Sequence, residues 1–286
     1  MHFTPTKESN TKSLRGRSVL SVMKSGSSRP ILIEDVLGQK YVVKLRKSLS
    51  NPYAAVSDFL SLRIGFELGL PIIEPRLIHI DEQMDLSCVD AEVRDIVLKS
   101  SGWNVAYPFF DQAKDAPPQY LMPSKPFFQD LFLLDVFLLN IDRTHHNTNI
   151  LMQNDRFWAF DYETSLNLVS VFDSKCYEDA PSVWRALREN PLFFTYTPEQ
   201  VHAFLAHFSD INIETILAQV PASWLSLDAS LFKIKMAAKY RDLCQNSRFF
   251  MEILSKMTAL DIESAEEKKK RALDNRRAFE EQMKKS

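Results

Sequence analysis

The stretch NIDRTHHNTNILMQNDRFWAFDYE, residues 140–163, sets carboxylates, amides and histidines among a few strongly apolar residues. It follows directly on the apolar run LFLLDVFLLN, residues 131–140. A solvated loop does not need an apolar segment before it. A hydrophobic core excludes carboxylates and amides that lack hydrogen-bonding partners. The pattern therefore indicates that a buried element leads into a functional site between Asp142 and Asp161.

The predicted secondary structure places the polar groups of this stretch at the ends of elements. Residues 127–140 predict a buried helix, and residues 150–160 predict a hairpin that turns at Gln153–Asp155. The polar groups at the element ends are Asp142 after the helix, Asn147 and Asn149 before the first strand, and Asp161 after the second. Because magnesium prefers carboxylate and amide oxygens, the arrangement predicts a magnesium site with a carboxylate beside it.

The first hundred residues read as a small sheet. The segments RSVLSVM (17–23), PILIED (30–35) and YVVKL (41–45) predict three short strands, with a turn at Gly38 between the last two. Residues 51–71 predict a helix, because their apolar residues recur at spacings of three and four until Gly69 and Pro71 stop the pattern. EPRLIHI (74–80) and RDIVLKSS (94–101) are expected to be further strands. Two polar groups stand out here, Lys44 at the end of the third strand and Asp58 on the helix.

The later part of the chain is predicted to be mainly helical. Residues 101–126 are rich in Pro and small polar residues and indicate a boundary. From Ser182 to residue 254 the apolar period is helical, with Thr197 and Ser226 as predicted N-caps. After Ser264 the chain alternates blocks of opposite charge, which favours a solvated helix or tail over a partner-binding arm.

Composition excludes several classes of protein. The 286 residues carry a formal net charge of −2, which gives no electrostatic reason to expect a nucleic-acid or membrane partner. The six glycines are scattered, so neither a dinucleotide fingerprint nor a Walker loop is present. The adjacent His145 and His146 do not favour zinc, since neighbouring histidines cannot easily share one ion. Three widely spaced cysteines, Cys88, Cys176 and Cys244, suit free thiols, and a cytoplasmic location is expected.

The chain is predicted to contain a strand-rich lobe, a boundary and a helical lobe that begins with a buried helix and a polar hairpin. This order predicts an α+β, two-lobed, protein-kinase-like fold. The small antiparallel N-lobe is expected to carry one helix, and the C-lobe to be mainly helical. The predicted divisions are a polar leader, possibly disordered, at 1–17, the N-lobe at 18–105, a linker or hinge at 106–126, the C-lobe at 127–260 and a charged C-terminal helix or tail at 261–286.

Residues 21–46, 62–80, 139–151 and 158–163 resemble the HipA-like kinase domain, a bacterial branch of the protein-kinase-like superfamily. The segment VPASWLS (220–226) is similar to the C-lobe of that family. The resemblance extends from about Ser18 to Phe232. It implies ATP and Mg²⁺ as cofactors, and Ser/Thr kinase activity of the kind found in toxin members, with a protein substrate and an antitoxin or other protein as partner.

The resemblance also implies roles for individual residues. Asp142 matches the catalytic aspartate, Asp161 the metal-binding aspartate, and Lys44 the nucleotide-binding lysine. The second metal ligand is either Asn147, which keeps the family's usual spacing from Asp142, or Asn149, which is preferred because it directly precedes the strand. Further nucleotide contacts are expected from Asp58, as the partner of Lys44, and from the loop Ser25, Gly26, Ser27 and Ser28. Trp103 is either a hinge residue beside the adenine or an ordinary buried aromatic.

Two positions depart from the family pattern. Thr144 stands where the family has a histidine, and Asp58 stands where the helix usually offers a glutamate. Both departures keep a nucleotide-binding pseudokinase or interaction module open as an alternative. A kinase of small molecules or lipid headgroups is a second alternative, since a fold does not determine a substrate.

Overall fold

The computed structural model describes residues 14–23, 29–49, 51, 53–173, 180–225 and 228–260. Within these ranges, five strands of the first half form a closed sheet in the order β1-β2-β3-β5-β4. The strands are β1 (Leu14–Val22), β2 (Ile31–Asp35), β3 (Lys40–Lys44), β4 (Arg76–Ile80) and β5 (Gly102–Pro108). Alternate residues point inward, so that apolar side chains such as Ile31, Ile33 and Val43 fill the interior.

The closure of the sheet differs from the purely antiparallel lobe that the sequence predicted. In the described strands the β1–β2, β2–β3, β3–β5 and β4–β5 pairs are antiparallel, whereas β1 and β4 pair in parallel at Leu14–Ile78 and Arg15–His79. This last pair uses the beginning of β1. The strand therefore starts at Leu14, inside the range that was predicted to be a leader.

The prediction of a strand at residues 94–101 was wrong, because this segment belongs to helix α2 (Ala91–Lys99). Asp90 caps the helix by accepting a hydrogen bond from the Val93 amide at 2.8 Å. Val93 and Val97, four residues apart, are buried against the interior of the sheet. The short apolar run resembled a strand, but its cap and its spacing of four are helical. The described part of this half therefore carries two helices, where one was predicted.

Helix α1 (Ala54–Glu67) runs between the two halves and is buried on almost every side. It packs in the same hydrophobic cluster as helix α3 (Pro126–Leu138). The approach of the two helices is close at Gly65, where an added Cβ would lie 2.9 Å from Cδ2 of Leu134. The helix that carries Asp58 is thus anchored mainly to the helical half of the molecule.

The region predicted as a linker, 106–126, contributes to two sheets. Its first residues complete β5, and Lys114–Asp115 form β6, which pairs with the hairpin of the helical half. That hairpin consists of β7 (Ile150–Gln153) and β8 (Arg156–Ala159). Asn154 and Asp155 turn it with φ of 49° and 60°, the left-handed conformation that a tight hairpin requires. The predicted hairpin and its turn are confirmed.

The rest of the described helical half consists of helices α4 to α9. They are α4 (Leu166–Asp173), α5 (Pro181–Arg188), α6 (Pro198–Ser209), α7 (Ile213–Ala218), α8 (Ala229–Gln245) and α9 (Ser247–Ala259). The predicted cap at Thr197 is confirmed by a full capping box with Gln200, whereas Ser226 lies outside the described residues. The last helical segment is broken at Asn246, whose side chain caps α9. Helix α4 was not predicted.

Two further findings concern the described residues alone. None of their helices is both long and apolar enough to span a membrane. Cys88 and Cys244 are free thiols, as predicted, while Cys176 lies outside the described ranges.

Candidate functional site

A buried ion pair holds the loop that follows α3. Arg143 is fully buried, and its Nε donates to Oδ2 of Asp135 on α3 at 2.7 Å. Asn140 and Asn190 donate to the same carboxylate at 3.1 and 2.8 Å, so both oxygens of the buried aspartate accept hydrogen bonds. Burial alone would lower the pKa of Arg143, but the charge of Asp135 and the contacts with Tyr162 together outweigh it and raise that pKa, so Arg143 stays charged.

The other end of Arg143 fixes the backbone beyond the loop. Its Nη1 donates to the carbonyl oxygens of Thr148 and Asn149 at 2.7 and 2.9 Å, and its Nη2 donates to the hydroxyl of Tyr162 at 3.0 Å. One guanidinium thus joins α3, the start of β7 and the residue after Asp161. Arg143 faces the interior of the protein, and its neighbour Asp142 faces a cavity.

Asp142 accepts hydrogen bonds from both candidate asparagines. Its Oδ2 lies 2.9 Å from Nδ2 of Asn149 and 3.0 Å from Nδ2 of Asn147. Asn149 is buried and has φ of 48°, whereas Asn147 is exposed. Burial is the main cause that raises the pKa of Asp142, and the charge of Asp161 adds to it, while the Asn149 hydrogen bond acts in the opposite direction.

Thr144 shapes the turn that brings Asn147 back to Asp142. Its Oγ1 accepts hydrogen bonds from the backbone amides of His146 and Asn147 at 3.3 and 3.1 Å. Its own amide donates to the Asn147 carbonyl at 2.8 Å. The two histidines at the tip of the turn are exposed. The threonine therefore takes part in local geometry, which does not require the proton chemistry of a histidine.

Lys44, at the end of β3, is buried among three carboxylates. Its Nζ lies 2.6 Å from Glu163, 2.8 Å from Asp161 and 3.3 Å from Asp58. Burial alone would lower the pKa of Lys44, but the surrounding negative charges outweigh it and raise that pKa well above its usual range. Lys44 is therefore an ammonium ion at neutral pH.

Asp58 points toward Lys44 and is fully buried, which settles whether it faces solvent. Its Oδ1 accepts a hydrogen bond from the Tyr162 amide at 2.7 Å, and its Oδ2 accepts one from the hydroxyl of Tyr107. Although an aspartate is one methylene shorter than a glutamate, the depth of α1 lets it come within ion-pair distance of the ammonium. Burial is the main cause that raises the pKa of Asp58, while Lys44 acts to lower it.

A cavity of about 480 Å³ between the two halves collects most of the predicted site residues. Those that line it are Lys44, Asp142, Asn147, Asn149 and Asp161. Asp58 lies behind Lys44 and is not among the described residues of the wall. Apolar residues also line the cavity, among them Val42, Ile73, Leu151 and Phe160. Such a pocket, with an apolar slot beside convergent charges, suits a ligand with a flat base and anionic groups.

The structure separates Trp103 from this cavity. Trp103 lies at the start of β5, edge-on to His79, and its carbonyl accepts a hydrogen bond from Nε1 of Trp224 at 2.9 Å. Of the two interpretations of Trp103, the hinge residue is therefore wrong. Pro108, Phe109 and Phe110, at the end of β5 and directly after it, line the cavity instead.

The predicted phosphate loop, Ser25, Gly26, Ser27 and Ser28, lies outside the described residues. The residues that flank it are described. Met23 donates its amide to the Pro30 carbonyl at 2.8 Å, and both residues line the cavity.

The residues around Asp161 fit a magnesium ion that is shared with a phosphate ligand. Asp161 is partly exposed to the cavity. The Nδ2 of Asn149 donates to Asp142, which leaves the side-chain oxygen Oδ1 of Asn149 available as a ligand. Within the described ranges, no group of three or more His, Cys, Asp or Glu side chains is arranged to hold a metal by itself. Magnesium commonly takes one or two protein ligands and completes its shell with phosphates and water.

Two residues of the site were missed from the sequence. Glu163 gives the shortest of the three contacts with Lys44, and Tyr107 donates to Asp58 from β5. Glu163 lies two residues after Asp161, and this proximity was a usable signal. Tyr107 carried no signal, because only the pairing of β3 with β5 brings it beside Lys44.

The comparisons with known proteins give one family match and several similar solved structures. The family model described as HipA-like kinase matches residues 17–253. The proinflammatory kinase CtkA of Helicobacter pylori is similar in structure, with a TM-score of 0.50 and 14% identity over 88% of this chain and 100% of that one. A choline/ethanolamine kinase family protein from Mesorhizobium loti gives a TM-score of 0.25 and 12% identity, over 89% of this chain and 95% of the other. No curated protein matches the sequence significantly.

Proposed function

The chain belongs to the HipA-like kinase family, and from this we propose that it is a two-lobed, ATP- and magnesium-dependent kinase that phosphorylates a Ser or Thr of a protein. The observation that carries the proposal is the convergence of Lys44, Asp142, Asn149 and Asp161 on one cavity. These groups come from β3, from the loop after α3 and from both ends of the hairpin. Phosphoryl transfer depends mainly on the positioning and charge neutralisation that such a set provides.

Each residue has a distinct task in this proposal. The ammonium of Lys44 binds the phosphates of ATP and neutralises part of their charge. Asp161 and Asn149 would hold Mg²⁺, which supplies further neutralisation of the phosphate oxygens when bound. Asp142 orients the acceptor hydroxyl and takes up its proton as the oxygen forms its bond to the γ-phosphorus. The bond from that phosphorus to the β-phosphate oxygen breaks, and ADP leaves with the electron pair.

Neither departure from the family pattern argues for a pseudokinase once the contacts are known. Thr144 stabilises the turn through two backbone hydrogen bonds, and Asp58 reaches Lys44. A protein acceptor is supported by the family resemblance. A toxin role and an antitoxin partner are predictions from the same resemblance, because they depend on the target and not on the site. A cytoplasmic location is a prediction from the sequence alone.

The proposal predicts phosphorylation of a protein band when the purified chain is incubated with γ-labelled ATP, Mg²⁺ and a cell extract. Acid hydrolysis of the product should yield phosphoserine or phosphothreonine. The parallel incubation contains small alcohols, including choline and ethanolamine, in place of the extract. Label in a small alcohol alone would assign a small-molecule kinase, and tight calorimetric binding of Mg·ATP without any turnover would assign a pseudokinase.

The raised pKa of Asp142 predicts how the rate depends on pH. The carboxylate is the form that accepts a proton, so the rate falls as pH drops through the pKa of the folded state. Because burial raises this pKa, the loss of activity should begin above about pH 4, the ordinary value for an aspartate. The measurement is the initial rate against pH at saturating nucleotide and Mg²⁺. A rate that stays constant down to pH 4 would contradict the assigned role.

A further inference from the structure

Lys44 has more carboxylate partners than the proposed reaction can leave in place. Glu163, Asp161 and Asp58 all lie within ion-pair distance of its Nζ. Of the described residues, only Asp161 in this trio lines the cavity. If Asp161 binds magnesium, its charge is shared with the metal, and a buried ammonium then needs another counterion to keep its position.

Asp58 is already committed to holding other parts of the structure. Both of its oxygens accept hydrogen bonds, one from the Tyr162 amide and one from the Tyr107 hydroxyl. Its distance of 3.3 Å to Nζ is the longest of the three. Through these contacts Asp58 ties α1 to β5 and to the segment after Asp161, a task that persists whatever the lysine binds.

Glu163 differs from Asp58 in its contacts. Its contact with Nζ, at 2.6 Å, is the shortest of the three, and no other side-chain partner of its carboxylate is found in the described ranges. Its side chain is 16% exposed and approaches Lys44 from behind the cavity wall. A carboxylate in this place pulls the ammonium to one position without occupying the space of a ligand.

We propose that Glu163 is the positioning residue that orients Lys44 toward the nucleotide phosphates, while Asp58 acts as a structural bridge. This inference rests on the proposed function, because it concerns how Lys44 meets ATP. It reverses the expectation from the sequence, in which the acid on α1 orients the lysine. The short side chain at position 58 is then explained, because the orienting carboxylate comes from the segment after β8.

The first test is the steady-state kinetics of Glu163→Gln. We expect the KM for ATP to rise roughly tenfold or more with a smaller change in kcat, the size expected when one charge-assisted hydrogen bond is lost. Glu163→Asp should recover part of the loss. The matched control is Glu74→Gln, which removes a similarly buried glutamate paired with Arg76 outside the cavity wall, and it should leave the KM unchanged.

The second test does not need ATP, so it separates this inference from the proposed function. The rate at which acetic anhydride acetylates Lys44 is measured by mass spectrometry at a fixed pH. Loss of the Glu163 contact should let the amine move into the cavity and raise this rate severalfold, whereas Asp58→Asn should lower the melting temperature by removing its hydrogen bonds with Tyr162 and Tyr107. A rate and a KM that match the wild type in Glu163→Gln would overturn the inference. If the wild type does not bind ATP but the acetylation rate is still raised in Glu163→Gln, only the proposed function would be overturned.

Discussion

Replacement of Asp142 by asparagine is expected to lower the rate of phosphoryl transfer by roughly 10²- to 10⁴-fold, the usual contribution of a general base. The asparagine amide is close in shape to the carboxylate, and its oxygen can still accept hydrogen bonds from Asn147 and Asn149, but it cannot take up a proton. The KM for ATP should change little, because Asp142 is placed at the acceptor hydroxyl. The measurement is kcat with γ-labelled ATP and a protein acceptor.

The same variant should be at least as stable as the wild type. The pKa of Asp142 is raised in the folded state, chiefly by burial, so the folded protein holds that proton more tightly than the unfolded chain does. At neutral pH the charge therefore opposes folding, and its removal is expected to leave the melting temperature unchanged or higher. Loss of activity together with a lower melting temperature would indicate a structural aspartate instead.

Two comparisons make the result specific. Asp161→Asn should also abolish transfer, and in addition it should weaken the dependence of nucleotide binding on Mg²⁺, since Asp161 is the proposed metal ligand. Asp115→Asn provides the control, because Asp115 lines the same cavity and has no assigned task. If Asp142→Asn and Asp161→Asn both retained activity, the assignment of the cavity as a phosphoryl-transfer site would be wrong.

Replacement of Arg143 by methionine is expected to lower the free energy of unfolding by about 3–5 kcal/mol, the cost of leaving a buried charge without its partner. Asp135 would remain fully buried opposite the gap. The carbonyl oxygens of Thr148 and Asn149 would lose a charged donor, so the loop that holds Asp142 should loosen and activity should fall as well. Denaturant unfolding of the purified variant measures the effect.

The double variant Arg143→Met with Asp135→Leu separates charge from packing. It removes both members of the pair, so it should recover part of the lost stability but not the activity, because the loop carbonyls still lack their donor. Arg15→Met is the surface control. The exposed pair of Arg15 with Asp81 is 3.9 Å long, and its loss should cost less than about 1 kcal/mol. An equally small effect for Arg143→Met would show that the buried pair does not hold the loop.

The sequence correctly predicted which side chains lie together where the signal was local. Asp142, Asn147 and Asn149 lie within eight residues, between a helix and a strand that each have a clear apolar pattern. The side chains of a short loop between two rigid elements stay close together in space. The hairpin and the turn at Asn154 and Asp155 were recognised for the same reason.

The prediction from the sequence failed where a local pattern was compatible with two structures or two roles. The run at residues 94–101 is apolar enough for a strand, and the helical signals beside it, the cap at Asp90 and the spacing of Val93 and Val97, were missed. Trp103 is an aromatic residue near a boundary, and its exclusion from the cavity depends on a hydrogen bond from Trp224, 121 residues later. Nothing within a dozen residues of Trp103 decides between its two interpretations.

The amino-acid sequence alone determined the identity and the order of the groups in the cavity: an ammonium at the end of β3, then Asp142 and the two asparagines, then Asp161. Only the tertiary structure decided how they are held, with Arg143 turned inward to Asp135 and Glu163 placed behind Lys44. The physical reason is that these charges are buried, and a buried charge requires partners that distant segments provide. Lys44 meets Asp161 across 117 residues, and Asp58 meets the Tyr162 amide across 104, so the fold must form before either contact exists.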